Sequence, residues 1–186
     1  MTNWRFGPSN SELQIRTAVA GPAAKMGHRL TLSMASWQAT VTWAGGEPSA
    51  LDLTADVSSL EVLAGEGGVT PLSGPEKAII RNNALKSLEV QRFPEINFRT
   101  SDIAKSSDGY RLAGQLTIHG VTKHLEVALH VEDRGDTWQM SANADVRQSD
   151  FRVKPYSLMM GTLKVADTVT VSVSATHAKD GTLDPA

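Results

Sequence analysis

The chain of 186 residues contains no cysteine. Disulfides, thiolate zinc sites and a cysteine nucleophile are thereby excluded. The absence identifies no compartment, because a small β protein can fold without bridges in either redox setting. The opening MTNWRFGPSNSELQ lacks a basic region followed by an apolar one, so it does not read as a secretory signal. No apolar run approaches the roughly 20 residues of a spanning helix. With Met1 as the native start, the expectation is a cytoplasmic chain with no membrane span. Clustered basic charge is missing too: the formal charge is −2, the pI about 6.2, and Lys and Arg are scattered among Asp and Glu. A nucleic-acid partner, which needs a basic face, is not expected.

Catalytic signatures are equally scarce. There is no GxSxG, HExxH, Walker sequence or calcium loop. Gly65-Glu66-Gly67-Gly68 is followed by no GK[ST] and reads as a flexible connector. Asp52 and Asp56 share the polar parity of a strand and read as an outward face. His119 and His124 flank a hairpin turn, where Glu126 or Glu132 could add oxygen ligands to a metal. His124, Glu126 and His130 share a polar parity, however, and the expectation is solvated surface residues with no metal and no cofactor. His28, where AGPAAKMG meets a strand, is expected to cap a loop.

What the chain has in abundance is alternation. In Tyr110–Val131, Tyr110, Leu112, Leu116 and Ile118 alternate with polar or small residues, and Leu125, Val127, Leu129 and Val131 resume after His119-Gly120. Two period-2 runs around a Gly-containing turn predict an antiparallel hairpin with one apolar face. Leu13–Val19 predicts a first strand. His28–Trp43 predicts another, whose apolar parity flips near Ala35-Ser36, the mark of a bulge. Further strands are predicted over Leu51–Val57, from Glu95 through Ile96, Phe98 and Thr100, over Trp138–Val146, and over Val169–Ala175. Ser58–Val62 reads as irregular or extended, and Arg147–Gly161 as irregular around Pro155. Ser73-Gly74-Pro75-Glu76 is a helix start, with Ser and Glu spaced as a capping box. Ile80, Ala84 and Leu88, flanked by Ile79 and Leu85, should lay one stripe on the sheet, ending no later than Pro94. The fold class expected is all-β: an antiparallel eight-stranded barrel with one inserted helix, in a single domain of residues 1–178 with a flexible tail at 179–186.

An eight-stranded barrel is just wide enough to be filled by side chains or to hold one small ligand. Here the inward positions mix large residues with Ala35 or Ala39, Ala55, Gly114, Ala142, Ala144 and Ala175, which leaves room.

Four ordered segments carry a family resemblance. They are Arg92-Phe93-Pro94-Glu95-Ile96-Asn97-Phe98, Gly114–Lys123 (GQLTIHGVTK), Ser149-Asp150-Phe151 and Val165-Ala166-Asp167-Thr168-Val169. Together they resemble the YceI-like family, whose pattern is a P-x-I-x-F strand, a G-x-L-T-I-x-G-V-T-K hairpin, an S-D-F segment and a V-x-D turn. The resemblance implies a lipocalin-like barrel whose apolar tunnel holds a polyisoprenoid or similar long-chain amphiphile. It also implies binding, storage or transport with no enzymatic step, and dimers are common in the family, which leaves a homodimer open. The helix departs from the family, which usually carries Arg-Asp and then His-Leu where this chain has Ile79–Leu85 (IIRNNAL).

Combining parity with that implication, the tunnel lining is expected to comprise Leu32, Met34, Trp37, Leu53, Phe98, Leu116, Val127, Leu129, Trp138, Met140 and Val171. The partner would be an isoprenoid, isoprenoid quinone or other lipid-like molecule. The rivals are a filled barrel acting as a structural module, a hydrolase or isomerase using His28 or His119, and a metal-dependent binder through His119 and His124.

Overall fold

The structure, a computed structural model, describes residues 2–179. Of the expected tail, all but Lys179 lies outside the described residues. In chain order the elements are β1 (Thr2–Phe6), β2 (Ser11–Arg16), β3 (Val19–Ala20), β4 (His28–Met34), β5 (Trp37–Ala44), β6 (Glu47–Asp56) and β7 (Leu60–Gly67). Then come α1 (Gly74–Ser87), β8 (Glu95–Ser106), β9 (Gly109–Ile118), β10 (Val121–Asp133), β11 (Thr137–Arg147), β12 (Ser157–Leu158), β13 (Leu163–Val165) and β14 (Thr168–Ala178).

Eleven strands form one antiparallel sheet in the order β1-β5-β6-β8-β9-β10-β11-β14-β2-β4-β7, and β12-β13-β3 form a small second sheet. The two ends of the large sheet are joined by the chain itself. Ala35-Ser36 carries β4 into β5, and Val57–Ser59 carries β6 into β7. The two bends are stitched together, Ala35 N to Ser59 O at 3.1 Å and Asp56 N to Ser36 O at 3.0 Å. The sheet therefore curls, and its apolar faces meet in one interior.

The expected count of eight strands is corrected to eleven in this sheet. The parity flip at Ala35-Ser36 is a corner that splits one long strand into β4 and β5, not a one-residue bulge. The Val57–Ser59 turn splits the next in the same way, and extends it through Glu66-Gly67, so the glycine-rich stretch is partly strand. The lead-in Thr2–Phe6 pairs with β5 as an additional strand. True register shifts occur instead at Thr31/Leu32, Thr42/Trp43 and Arg99/Asp102. The last is pinned by Thr100, whose hydroxyl accepts from Asp102 N at 3.0 Å and lies 2.6 Å from Ala113 O.

Side chains tie down both ends of the sheet. At β1, Trp4 stacks on His177 of β14 with ring centroids 3.8 Å apart. At β7, α1 supplies the cover. Arg81 Nε donates to Leu60 O at 2.7 Å, Arg81 Nη2 to Ser58 O, and Lys77 Nζ to Leu63 O at 2.8 Å. Unpaired strand carbonyls template association with other chains unless something blocks them. Arg81→Ala should therefore cost about 1–2 kcal/mol and raise the concentration-dependent aggregation rate, readable by urea denaturation and light scattering.

The helix begins as its sequence predicts. The Ser73 hydroxyl accepts from Glu76 N at 3.3 Å, and the Glu76 carboxylate accepts from Ser73 N at 2.8 Å, completing the capping box. These Ser73 bonds, backbone first, hold the Glu76 carboxyl below its usual range. The helix ends at Ser87. Glu89, two residues on, adopts a left-handed φ of 48° while Val90 N returns to Leu85 O at 3.1 Å.

Candidate functional site

The inward faces do not fill the space they enclose. A cavity of about 650 Å³ runs through the curled sheet, lined by side chains from β2, β4–β6, β8–β11 and β14. This size lies within the range of small-molecule sites. The cause is the pattern of small residues. Ala39, Ala55, Ala142, Ala144 and Ala175 line the cavity where larger side chains would have closed it. Ala35, by contrast, is exposed at the corner, and Gly114 is buried beneath the Phe98 ring.

Leu32, Met34, Trp37, Leu53, Phe98, Leu116, Val127, Leu129, Met140 and Val171 all line the cavity. Trp138 does not. It sits opposite His177 in the register, with Lys179 Nζ 4.2 Å from its ring centroid, so a side chain of the right parity lies beyond the end of the space. Lys179, read as the start of the tail, also bonds Asp133.

One end of the cavity opens between α1 and the small sheet. Helix α1 contributes Glu76, Ile80, Asn83, Ala84 and Ser87, and its C-cap contributes Leu88. The expected stripe thus forms a wall of the cavity, while Ile79 points outward, 60% exposed. On the other side lie Met26, Gly27 and His28, then Tyr156, Leu158, Leu163, Lys164 and Val165. Val69 and Thr70 complete the rim. His28 Nε2 lies 2.6 Å from Thr70 O, so His28 both tethers the 68–72 loop and borders the cavity.

The remaining candidates do not assemble into a reactive centre. His119 is largely buried, contrary to the expectation of a solvated residue. Its Nε2 bonds the Glu89 carboxylate, its Nδ1 lies 3.2 Å from Phe151 O, and its ring packs on Phe93 with centroids 4.6 Å apart. His124 faces Glu126 at 3.9 Å and His130 faces Asp108 at 2.7 Å, all exposed. Asp52 pairs with Arg99 at 2.9 Å, and Asp56 accepts from Ser58 N at 2.9 Å. Among the described residues no group of three or more His, Asp or Glu side chains is gathered as a metal site. No described helix is long and apolar enough to cross a membrane.

The family model for the YceI-like domain matches residues 4–177. The chain belongs to the YceI-like family. Among curated relatives, a UPF0312 protein of Yersinia pestis (strain Pestoides F) is 32% identical over 72 residues, which is 36% of this chain and 38% of that protein. A UPF0312 protein of Yersinia enterocolitica is 31% identical over a stretch of the same length and coverage. The match therefore spans well under half of the curated relatives. The fold is also that of Burkholderia cenocepacia BcnA, with a TM-score of 0.68 at 18% identity, covering 90% of this chain and 96% of that one. Campylobacter jejuni YCEI protein aligns with a TM-score of 0.60 at 15% identity, covering 80% and 84%.

The segments that mark this chain as YceI-like meet in two places, and both are structural. In the first, His119 and Gly120 take φ of 53° and 71°, the positive values a two-residue hairpin turn demands. The Phe93 ring lies against Gly120 and His119, and Glu89 and Phe151 hold the imidazole. In the second, Ser149 N donates to Asp167 Oδ1 at 2.8 Å, the Ser149 hydroxyl donates to Oδ2, and Arg147 Nε lies 3.7 Å away. These partners, the Ser149 hydroxyl first, hold the Asp167 carboxyl below its usual range.

A carboxylate with a lowered folded pKa stabilises above its unfolded pKa, and that contribution is lost as pH falls through the folded value. Asp167→Asn should thus cost about 1 kcal/mol near neutral pH. The gap from the parent should close on acidification below the ordinary carboxylate range, as urea titrations at several pH values would show.

Sequence reasoning missed most of the mouth. The strands β3, β12 and β13 are two or three residues long, too short for any alternation to register. The available signal was compositional: Phe151–Ala166 contains no Asp or Glu and carries Leu158-Met159-Met160 in sequence.

Proposed function

We propose that this YceI-like protein binds a long-chain apolar molecule in its interior, such as a polyisoprenoid, an isoprenoid quinone or a fatty-chain lipid, for storage or transport and without catalysing a reaction. The observation that carries the reading is the cavity of about 650 Å³, walled by Leu, Val, Met, Phe and Ala from nearly every strand and open at one end. The family resemblance supports it independently. Affinity would come mainly from transfer out of water, at about 0.8 kcal/mol per buried CH₂, so a ten-carbon stretch gains roughly 8 kcal/mol before ordering costs. The few polar lining groups, among them Asn83, Ser87 and Tyr156, would orient a head group. A homodimer belongs to the same reading and is measured by sedimentation of the purified chain.

The direct test is organic extraction of the purified protein followed by mass spectrometry, with uptake of a fluorescent fatty acid as the second arm. A stoichiometric apolar molecule, or saturable uptake displaced by long-chain alcohols, is the expected result. Absence of both would overturn the binding reading and leave a structural or interaction module without ligand.

A further inference from the structure

The rim of the cavity presents an apolar surface to solvent. Met26 is 50% exposed, Leu158 49%, Met159 56%, Val69 74%, and Met160 fully so. Three of these, Met26, Val69 and Leu158, also line the cavity, so the apolar interior continues outward onto the rim. The projection of the methionines is built into the backbone. Met159 and Met160 both adopt left-handed φ, 51° and 57°. That conformation is costly for side chains bearing a Cβ and persists only where the surroundings impose it. Here Thr162 imposes it, donating to Met159 O through its N at 3.2 Å and its hydroxyl at 2.8 Å. Ala23 N in turn donates to Thr162 O at 2.9 Å, fastening this loop to the 24–26 turn.

On the small-sheet side the charge of the rim has one sign, whereas α1 brings the Glu76 carboxylate to the opposite side. Residues 17–28, 68–75 and 151–166 contain no Asp or Glu, although the chain as a whole carries a net charge of −2. They contribute Lys25, Arg152, Lys154 and Lys164, all exposed. Each of these lysines makes no ion pair with another described residue, whereas most other exposed cations, such as Arg29, Lys105 and Arg134, do. Among the carboxylates that flank these segments, Glu66 pairs with Arg29 and Asp167 with Arg147, while Glu76 accepts from Ser73 at the helix start.

Exposed apolar side chains bordered by unpaired lysines match the interface of an anionic bilayer. There the apolar groups enter the acyl boundary, and each lysine gains from the negative surface potential. We infer that the mouth docks reversibly on a membrane leaflet containing anionic lipids, Met26, Leu158, Met159 and Met160 entering it and Lys25, Lys154 and Lys164 contacting the head groups. The open end of the cavity then faces the acyl region, and a long-chain molecule passes between the two without crossing water. Docking rests on the rim alone and does not require the cavity to be occupied.

Co-sedimentation of the full chain with phosphatidylcholine vesicles, with and without phosphatidylglycerol, tests this. Binding is expected on the phosphatidylglycerol vesicles and should weaken as salt is raised. Met159→Ser with Met160→Ser should weaken it roughly tenfold, with the melting temperature unchanged because both side chains are exposed. Reversing Lys25, Lys154 and Lys164 to Glu should weaken it about fivefold or more for each position. Lys105→Glu, beside the Gly45–Gly46 turn, changes the net charge equally and should leave binding intact. The inference is overturned if the parent ignores phosphatidylglycerol vesicles. It also falls if Lys105→Glu is as damaging as the rim reversals, or if the folded methionine variant binds like the parent. A protein that takes up no apolar molecule yet binds vesicles through the rim would sink the proposed function and leave docking standing.

Discussion

Ala142→Trp is expected to abolish uptake of long-chain molecules while leaving the protein folded. Ala142 lines the cavity from β11, opposite Leu129 on β10 and Val173 on β14. An indole placed there projects into space that no side chain occupies. It would displace on the order of four or five methylenes of a bound chain, at about 0.8 kcal/mol each. Affinity should then fall by a hundredfold or more. Overpacking in a closed core costs about 1–3 kcal/mol, and an open cavity should hold the penalty at the low end. Ala142→Leu should give a smaller loss in the same direction. Ser141→Trp is the control: the neighbouring residue is exposed on the opposite face, so the same indole should leave uptake unchanged. Titration with a fluorescent fatty acid reads all three variants. Unaltered binding by a folded Ala142→Trp protein would place the ligand somewhere other than the cavity.

Gly114→Ala should be among the most destabilising small substitutions in the chain, at about 2–4 kcal/mol. A Cβ at this position would lie 2.6 Å from the Arg99 carbonyl oxygen and 2.6 Å from Cζ of Phe98. Both contacts fall at the irregularity between Arg99 and Asp102, where β8 slips against β9 and the Thr100 hydroxyl bridges the strands. Phe98 is itself a cavity wall, so the missing side chain of Gly114 seats the ring that borders the ligand space. Phe98→Leu alone should cost about 1–2 kcal/mol. Combined with Gly114→Ala it should be less than additive, because it removes the ring contact and leaves only the clash with the carbonyl. Urea midpoints for the four proteins of this cycle supply the measurement. Strict additivity would show that the ring plays no part in excluding a side chain at Gly114.

Alternation made the walls legible. Along β4, β5, β11 and β14, and over most of β8–β10, every second residue is apolar, and a period of two assigns a face whatever the strand's neighbours are. That is why ten of the eleven residues expected inside line the cavity. Trp138 shows the limit of the same rule. Parity states which way a side chain points but not how far along the strand the hollow extends, and Trp138 lies where His177 and Lys179 close it. The capping box at Ser73 was legible for a different reason, since both its hydrogen bonds lie within four residues.

His119 was misplaced because its partners are remote. Glu89 and Phe151 are 30 and 32 residues away, and no local pattern announces them. The helix stripe of Ile80, Ala84 and Leu88 was legible as a stripe, yet its spacing could not say whether the surface opposite was sheet or hollow. The corners at Ala35-Ser36 and Val57–Ser59 were visible only as interruptions, since what they do depends on strands that pair elsewhere.

The sequence by itself determined an all-β chain with one helix and, for most positions in the long strands, which side chains face inward. Both follow from local periodicity and capping, which need no knowledge of the partner. Tertiary structure decided that two bends would join the ends of the sheet and how deep the cavity would run. It also decided that α1 and the 151–165 segment would meet as a mouth whose small-sheet side carries methionine and lysine. Those outcomes depend on register and on contacts far apart in the chain, where many pairings satisfy the same alternation and only packing selects one.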